Sequence, residues 1–229
     1  MSAVEDTIED HRVRVAAVRR ERMRERLLNA VTSTYTERLT EGPPSVDEVV
    51  KKADVSRATF YKYLTSVDEA IGIIGQTYVD EMVHGLISIF DGPERPFFRM
   101  TTGIQVFLIR SLIDPVWAAF VSRINYFAHD TILLTGLTTH LGLSRKQGLV
   151  RFEDINVATS FVVGSLMNGI RYISRSRVRG VGYAEELETM ILLGLGVQEK
   201  DARKIVTDRA AFIRKRAPER LPWWRDPSV

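Results

Sequence analysis

The chain has 229 residues, 45% hydrophobic, 27% charged and 9% aromatic, with a formal net charge of +3 at pH 7; that length suits one large domain or two small ones with ample core. The absence of cysteine excludes a disulfide framework, a thiolate metal site and a thiol nucleophile, and suits the reducing cytoplasm in which we expect the chain to work. No run approaches the ~18 apolar residues of a membrane span, and the acidic first residues lack the apolar core of a secretory signal.

Residues 1–10 are polar and acidic, and 1–20 is expected to be a flexible extension. Helical spacing runs over 11–39, with Met23, Leu27, Leu28, Val31, Tyr35 and Leu39 recurring at three- and four-residue steps. Its first half is charged at most positions. Between positions 11 and 66 there are twelve Lys and Arg against seven Asp and Glu, and seven of the twelve lie between Arg12 and Arg26. A solvated helix face accounts for such a run as well as a polyanion partner does, so the run counts only beside a motif. Gly42-Pro43-Pro44 ends the helix, because proline cannot continue it and biases the preceding residue toward extended geometry.

The stretch 45–70, SVDEVVKKADVSRATFYKYLTSVDEA, reads as a short helix, a tight turn, a second short helix and the capped start of a third. Ser45 with Glu48 has capping-box spacing, and Ser66 with Glu69 repeats it. Ala53-Asp54-Val55-Ser56 is long enough only for a turn, and Ser56 is a good N-cap for the second helix. Val46, Val49, Val50, Ala53, Val55, Phe60 and Leu64 can close a three-helix core with Leu28, Val31 and Tyr35. At about 100° per residue, Phe60 and Leu64 share one side of the second helix; Ala58 and Lys62 point nearly opposite, with Thr59 and Tyr61 on the flanks. Arg57 sits in the first turn and is long enough to leave the helix end. A simple core does not require Arg57, Thr59, Tyr61 and Lys62 there; a DNA groove of base acceptors flanked by phosphates would use them all.

At this point a resemblance becomes specific. Residues 27–71 resemble the N-terminal domain of tetracycline-repressor-type (TetR family) transcriptional regulators, through Leu27-Leu28-Asn29-Ala30, through Val46–Ala53, and most strongly through Val55-Ser56-Arg57-Ala58-Thr59-Phe60-Tyr61-Lys62-Tyr63-Leu64. The chain departs from the pattern at Asp54, where the turn usually has glycine, at Val67, where lysine is usual, and in a longer loop around Gly42. Val67 removes one expected phosphate contact. The resemblance implies an all-α fold, with an N-terminal three-helix helix-turn-helix head on a larger helical ligand-binding and dimerisation body. Residues expected at DNA are Ser45, Ser56, Arg57, Ala58, Thr59, Tyr61, Lys62 and Tyr63, with Thr59 and Tyr63 the better placed for phosphate.

From 66 to 90 Ile71, Ile74, Tyr78, Met82 and Ile89 are spaced along one long helix, broken by Asp91-Gly92-Pro93. The domain reading is therefore 1–20 extension, 21–66 helix-turn-helix domain, 67–90 linker helix, 91–216 effector-binding and dimerisation domain, and 217–229 irregular tail. The body reads as helices at 94–112, 114–128, 129–141, 145–150, 153–177, 183–195 and 199–215. Aromatic residues crowd its first third. Phe107, Arg110, Trp117, Phe120, Arg123, Tyr126 and Phe127 are the candidate pocket set, open to the plainer reading of an aromatic core. The segment 155–173 is apolar or small on most faces, and 184–195 has one broad apolar face. In the resembled family two late helices from each subunit form a four-helix dimer interface. The corresponding residues here are Phe161, Leu166, Ile170, Leu187, Met190 and Ile191, which could equally line the protomer's own core. Trp223-Trp224, in a tail with three prolines, could pack onto the body or lie free.

No catalytic arrangement has defensible spacing. His11, His84, His129 and His140 form no metal-ligand pattern; Arg171, Arg175, Arg177 and Arg179 read as a solvated helix end. No cofactor and no enzymatic activity are expected. The resemblance implies a homodimeric regulator, a repressor released from a palindromic double-stranded operator by a hydrophobic or amphipathic small-molecule effector. A constitutive or architectural DNA-binding protein without effector is the alternative: a solid body would favour it, and a cavity would favour ligand control.

Overall fold

The computed structural model describes residues 2–37, 42–124, 132–176 and 180–227, with side chains of the first helix described from Arg14 onward. Every regular element among the described residues is an α-helix, as expected. The chain divides into two compact units, Met1–Gln76 and Thr77–Val229, with the division inside one helix.

The first unit holds α1 (Ser2–Glu37), α2 (Val46–Ala53), α3 (Arg57–Tyr63) and the start of α4 (Val67–Ser88). Leu27, Val31, Val49 and Phe60 are fully buried, and Tyr35, Val50, Ala53, Leu64, Val67 and Ala70 complete the core. Neither short helix is long enough to stand alone in water, so caps and packing hold them. The Ser45 hydroxyl accepts from the Glu48 N–H at 3.3 Å, while the Glu48 carboxylate accepts from the Ser45 N–H at 2.7 Å. At the start of α4 the Ser66 hydroxyl accepts from the Glu69 N–H at 3.0 Å. The returning carboxylate departs from expectation. Glu69 accepts chiefly from the hydroxyl and N–H of Thr65, and these bonds, with a smaller contribution from the Ser66 N–H, lower its pKa. Asp54 ends α2 in the left-handed region, at φ 50° and ψ 56°. This is the position where glycine would avoid the Cβ penalty.

The second unit is organised around α5 (Pro96–Ile113), which packs against α6 (Pro115–Val121), α7 (Ile132–Lys146), α8 (Ile155–Ser176), α9 (Gly182–Gly194) and α10 (Glu199–Arg220). Being enclosed, α5 buries polar residues too. Arg110 is 3% exposed. Its guanidinium donates to Glu81 at 2.7 Å, lies 3.6 Å from Asp114, and stacks over Trp117 and Trp223. Beside it, burial and the Asp114 charge push the Tyr78 hydroxyl up to about 12.

Helix boundaries differ from expectation in four places, the first being α6, which stops at Val121 with a turn at 122–124 inside the segment expected to be helical to 128. α1 begins at Ser2, not near 11; α7 runs unbroken to Lys146 where two segments were expected; α10 continues through Pro218 to Arg220. Gly142 lacks the strength of a proline stop, and α7 gives way only before Gly148, at φ 71°. The end of α10 is held from outside the helix. Arg216 and Arg220 both pair with Asp91, the Ser88 hydroxyl donates to the Arg220 carbonyl at 3.2 Å, and Ala217 and Leu221 are buried. Trp223 and Trp224 follow onto the body's core. α8 and α9 meet at glycines: a Cβ on Gly169 would collide with Leu187, and one on Gly194 would come within 2.5 Å of the Phe161 ring.

Glu188 on α9 is fully buried and its two carboxylate oxygens find no hydrogen-bond partner. Burial first, then the Glu185 charge, raise its pKa well above the ordinary 4.5, with Arg209 opposing. A raised carboxyl favours the fold while protonated. Stability is therefore complete below the unfolded value and is lost as pH rises from there through the folded value. Glu188→Gln, which cannot ionise, should remove that loss and be the more stable protein at neutral pH. Melting curves of the two proteins should diverge as pH rises; parallel curves would mean that Glu188 is ionised and paired in the fold.

Candidate nucleic-acid interface and internal cavity

In the first unit, burial of Phe60 and Leu64 turns the opposite side of α3 outward. Arg57, Ala58, Tyr61 and Lys62 are exposed, Tyr61 by 53%, and Thr59 and Tyr63 are half-buried at the flanks. Ser56 caps α3: its hydroxyl accepts from the Thr59 N–H at 3.0 Å and lies 2.9 Å from the Thr59 hydroxyl. Thr59 therefore also serves the cap. Arg57 pairs with Asp47 at 3.3 Å, but both side chains are more than half exposed, so the pair is weak and readily exchanged for a stronger acceptor. Tyr61 meets Phe60 edge-on at 5.4 Å, which restricts its ring, and Lys62 lies over Tyr63. Ser45 is exposed at the N-terminus of α2. The eight residues expected at DNA thus comprise the two helix starts and the outward side of α3. The set can present hydrogen-bond donors, one planar guanidinium and an aromatic ring to a groove, and backbone N–H groups to phosphates.

In the second unit a cavity of about 220 Å³ lies among α4, α5, α7 and α8. Its wall is apolar, with Leu86, Met100, Ile104, Phe107, Leu133 and Leu166 prominent, and Arg99 and His140 supply the charged or titratable side chains. Gly103 and Gly136 face it, and a Cβ on Gly136 would meet nothing within 4 Å. Arg99 is held by the Gly92 carbonyl at 3.2 Å and by the Phe90 ring. Burial, and then the Arg99 charge, lower the pKa of His140 from 6.5, so the imidazole is neutral at pH 7; its Nδ1 is enclosed without a partner. A larger recess of about 440 Å³ is walled by Phe97, Phe98, Leu149, Val197 and Ile205 together with Arg95, Arg151, Asp201, Lys204 and Asp208. Lys204 is already paired with Asp208 there; the recess has five charged side chains in its wall, whereas the smaller chamber has Arg99 and His140.

Of the residues expected at a pocket, Phe107 lines this chamber. Arg110, Trp117 and Phe120 are spent on the core, and Arg123 is half-buried away from the chamber wall. Tyr126 and Phe127 lie outside the described residues, as do His129, Arg177 and Arg179. Arg99, His140, Gly103 and Gly136 were not singled out as pocket residues. Two glycines inside helical patterns were the available signal, since an interior glycine costs a helix about 1 kcal/mol and asks for a reason. Of the residues expected at a dimer interface, Leu166, Ile170 and Ile191 are buried within the protomer and Leu187 packs on Gly169. Phe161 and Met190 are exposed by 40% and 55%, and Val157 and Tyr172 join them as exposed apolar side chains of α8. Among the described residues, no group of three or more His, Asp or Glu is placed to hold a metal ion, and no single helix is long and apolar enough to cross a membrane.

A three-helix helix-turn-helix unit followed by an all-helical body is the tetracycline-repressor-type fold, and the chain has it. Solved structures that share the fold include RolR in complex with the ligand resorcinol, 20% identical, with 83% of this chain and 96% of that chain covered at a TM-score of 0.61. RolR without ligand is also 20% identical, with coverages of 80% and 96% and a TM-score of 0.53. A γ-butyrolactone receptor described as an ArpA-like protein is 15% identical, with coverages of 86% and 99% and a TM-score of 0.62. No family model and no curated protein matches the sequence.

The open space at Gly136 predicts that Gly136→Ala stabilises the protein by about 0.5–1 kcal/mol, a rise of roughly 1–4 °C in Tm. Differential scanning calorimetry reads this directly. A lowered Tm would show that the wall is closed at that point.

Proposed function

We propose that this chain is a homodimeric, sequence-specific DNA-binding transcriptional regulator of the cytoplasm, a repressor released from a palindromic operator by a small-molecule effector. The observation that carries this reading is the separation on α3 of a fully buried Phe60 from an outward Arg57, Ala58, Tyr61 and Lys62. Such a helix placed in the major groove presents Arg57 to a guanine edge, and Tyr61 and Lys62 to bases, thymine methyl groups or phosphates. The exposed starts of α2 and α3 at Ser45 and Ser56 supply phosphate contacts that set register. Two-fold symmetry then places half-sites about 34–36 Å apart, or a multiple of that spacing. Phe161 and Met190, with Val157 and Tyr172, are the apolar side chains that α8 and α9 offer to a second copy.

A void in the body, rather than a solid core, supports effector control over the constitutive alternative. A dry apolar cavity of ~150 Å³ accommodates benzene, so about 220 Å³ suits a ring-sized molecule with one or two polar substituents. Neutral His140 offers a hydrogen bond to such a substituent, and Arg99 favours one with anionic character. Resorcinol in RolR is a ligand of this size in a similar fold. The lever is α4, which contributes Val67 and Ala70 to the head's core and Val83, Leu86 and Ile87 to the cavity wall. A ligand shifts the equilibrium only by its differential affinity for the DNA-competent state, and side chains of α4 on the cavity wall provide that difference.

Arg57→Ala should weaken operator binding by about 1–3 kcal/mol and relax selectivity at one base pair. Fluorescence anisotropy on an operator selected from random duplexes measures both, and unchanged binding would remove the base assignment. Gly136→Leu should fill the chamber and leave a repressor that binds DNA but no longer responds to ring-sized effectors. If it responds as the parent does, effector control does not run through this cavity.

A further inference from the structure

The core-facing stripe of α1 contains Leu27, Val31 and Tyr35, all buried. Continued toward the N-terminus at helical steps, the same stripe reaches Arg24 and then Arg20, where a helix buried by its own fold would keep apolar residues. A second row, Arg26, Arg22 and Arg19, follows at i, i+4 and i+7 counted backward on a different face, and Arg19, Arg20 and Arg22 together fall within an arc of about 160° at roughly 100° per residue. Both rows start at the ends of α3. Arg26 donates to the Asp54 carbonyl at 3.5 Å and lies 3.7 Å from its carboxylate, in the turn that leads into α3. Arg24 acts on Glu69 just beyond the C-terminal end of α3. The helix therefore leaves the head beside the base-reading element. Beyond that point Arg19, Arg20 and Arg22 are exposed and have no ion pair among the described residues. Arg110, Arg203, Arg216 and Arg220 in the second unit all have one.

We propose that Arg19, Arg20 and Arg22 form a second DNA contact, an arm that grips the phosphate backbone beside the segment read by α3. The proposal rests on the reading of α3 as a DNA-contacting helix. From Arg19 to Arg26 the helix rises about 10 Å, and duplex DNA carries one phosphate per strand every ~3.4 Å, so the run is long enough to meet several phosphates. Guanidinium groups form paired hydrogen bonds to phosphate. Contacts of this kind add affinity and extend the footprint without reading sequence.

The test uses the full chain with Arg19, Arg20 and Arg22 all changed to Gln, and a parallel variant with all three changed to Lys. Binding is measured on the selected operator and on a mixed-sequence duplex of about 30 base pairs, across roughly 50–200 mM salt. Each phosphate contact contributes about 0.9 to the slope of log K against log salt, so the Gln variant should lose about 2–3 from that slope on both duplexes. Its base preference should be unchanged, and the Lys variant should retain most of the slope. A Gln variant with the parent's slope and an unchanged melting temperature would overturn the arm. A Gln variant that loses affinity on the operator alone would overturn it too, because the arginines would then be reading bases. The two proposals fail separately. A parent protein that binds the mixed duplex with a slope dependent on these arginines but selects no sequence would sink the base-reading role of α3 and leave the arm standing. A parent that selects an operator while the variant's slope stays unaltered would do the reverse.

Discussion

The reading surface depends on one packing event, the burial of Phe60 and Leu64 as α3 packs on α1 and α2, where Leu27, Val31 and Val49 are buried too. α3 has seven residues, fewer than an isolated helix needs in water. It persists because its inner side is inserted into a core and its first turn is capped by Ser56. With the inner side fixed, the outer side has no freedom of assignment: Arg57, Ala58, Tyr61 and Lys62 face away because Phe60 and Leu64 face in. The turn that sets the angle between α2 and α3 passes through Asp54 at positive φ. A short polar side chain tolerates that conformation better than a branched one.

The body applies the opposite economy. α5 is enclosed by its neighbours, and most of its length is packed tightly enough to bury Arg110 in a cage of Glu81, Asp114 and two tryptophans. Arg110 is buried while Glu81 and Asp114 reach solvent, so removing the carboxylates would leave its charge buried and uncompensated, which makes Arg110 a structural anchor. Packing loosens where Gly103 of α5 and Gly136 of α7 leave side-chain volume unfilled. The chamber is thus made by what two helices omit. Its two polar residues are prepared in different ways: Arg99 is tethered at the Gly92 carbonyl, and His140 is kept neutral by burial.

The head was legible because its signals are local. Capping boxes span three residues, a helical face repeats within a turn or two, and the turn at 53–56 is bounded by its own caps; none of these needs distant contacts. One detail escaped even there. The Glu69 carboxylate bonds chiefly to Thr65 rather than to Ser66, a choice between adjacent N–H groups that depends on backbone angles at the helix entry. In the body the helices were legible and their partners were not. Arg110, Trp117 and Phe120 form one aromatic-cationic group in sequence and another in space, because Glu81 and Trp223 enter from far along the chain. Pro218 and its neighbours, which locally argue for irregular chain, remain helical because Asp91 and Ser88 bind that end from a distance.

The sequence alone therefore determined the all-α character, the helix-turn-helix, the side of α3 that faces out and the arginine-rich run of α1, since each follows from spacing along a single helix. Tertiary structure decided where the cavity lies, which late-helix residues remain exposed, and which arginines are spent inside the body. Those outcomes depend on which side chains arrive from other helices, and a void or an unpaired charge is defined only by what fails to arrive.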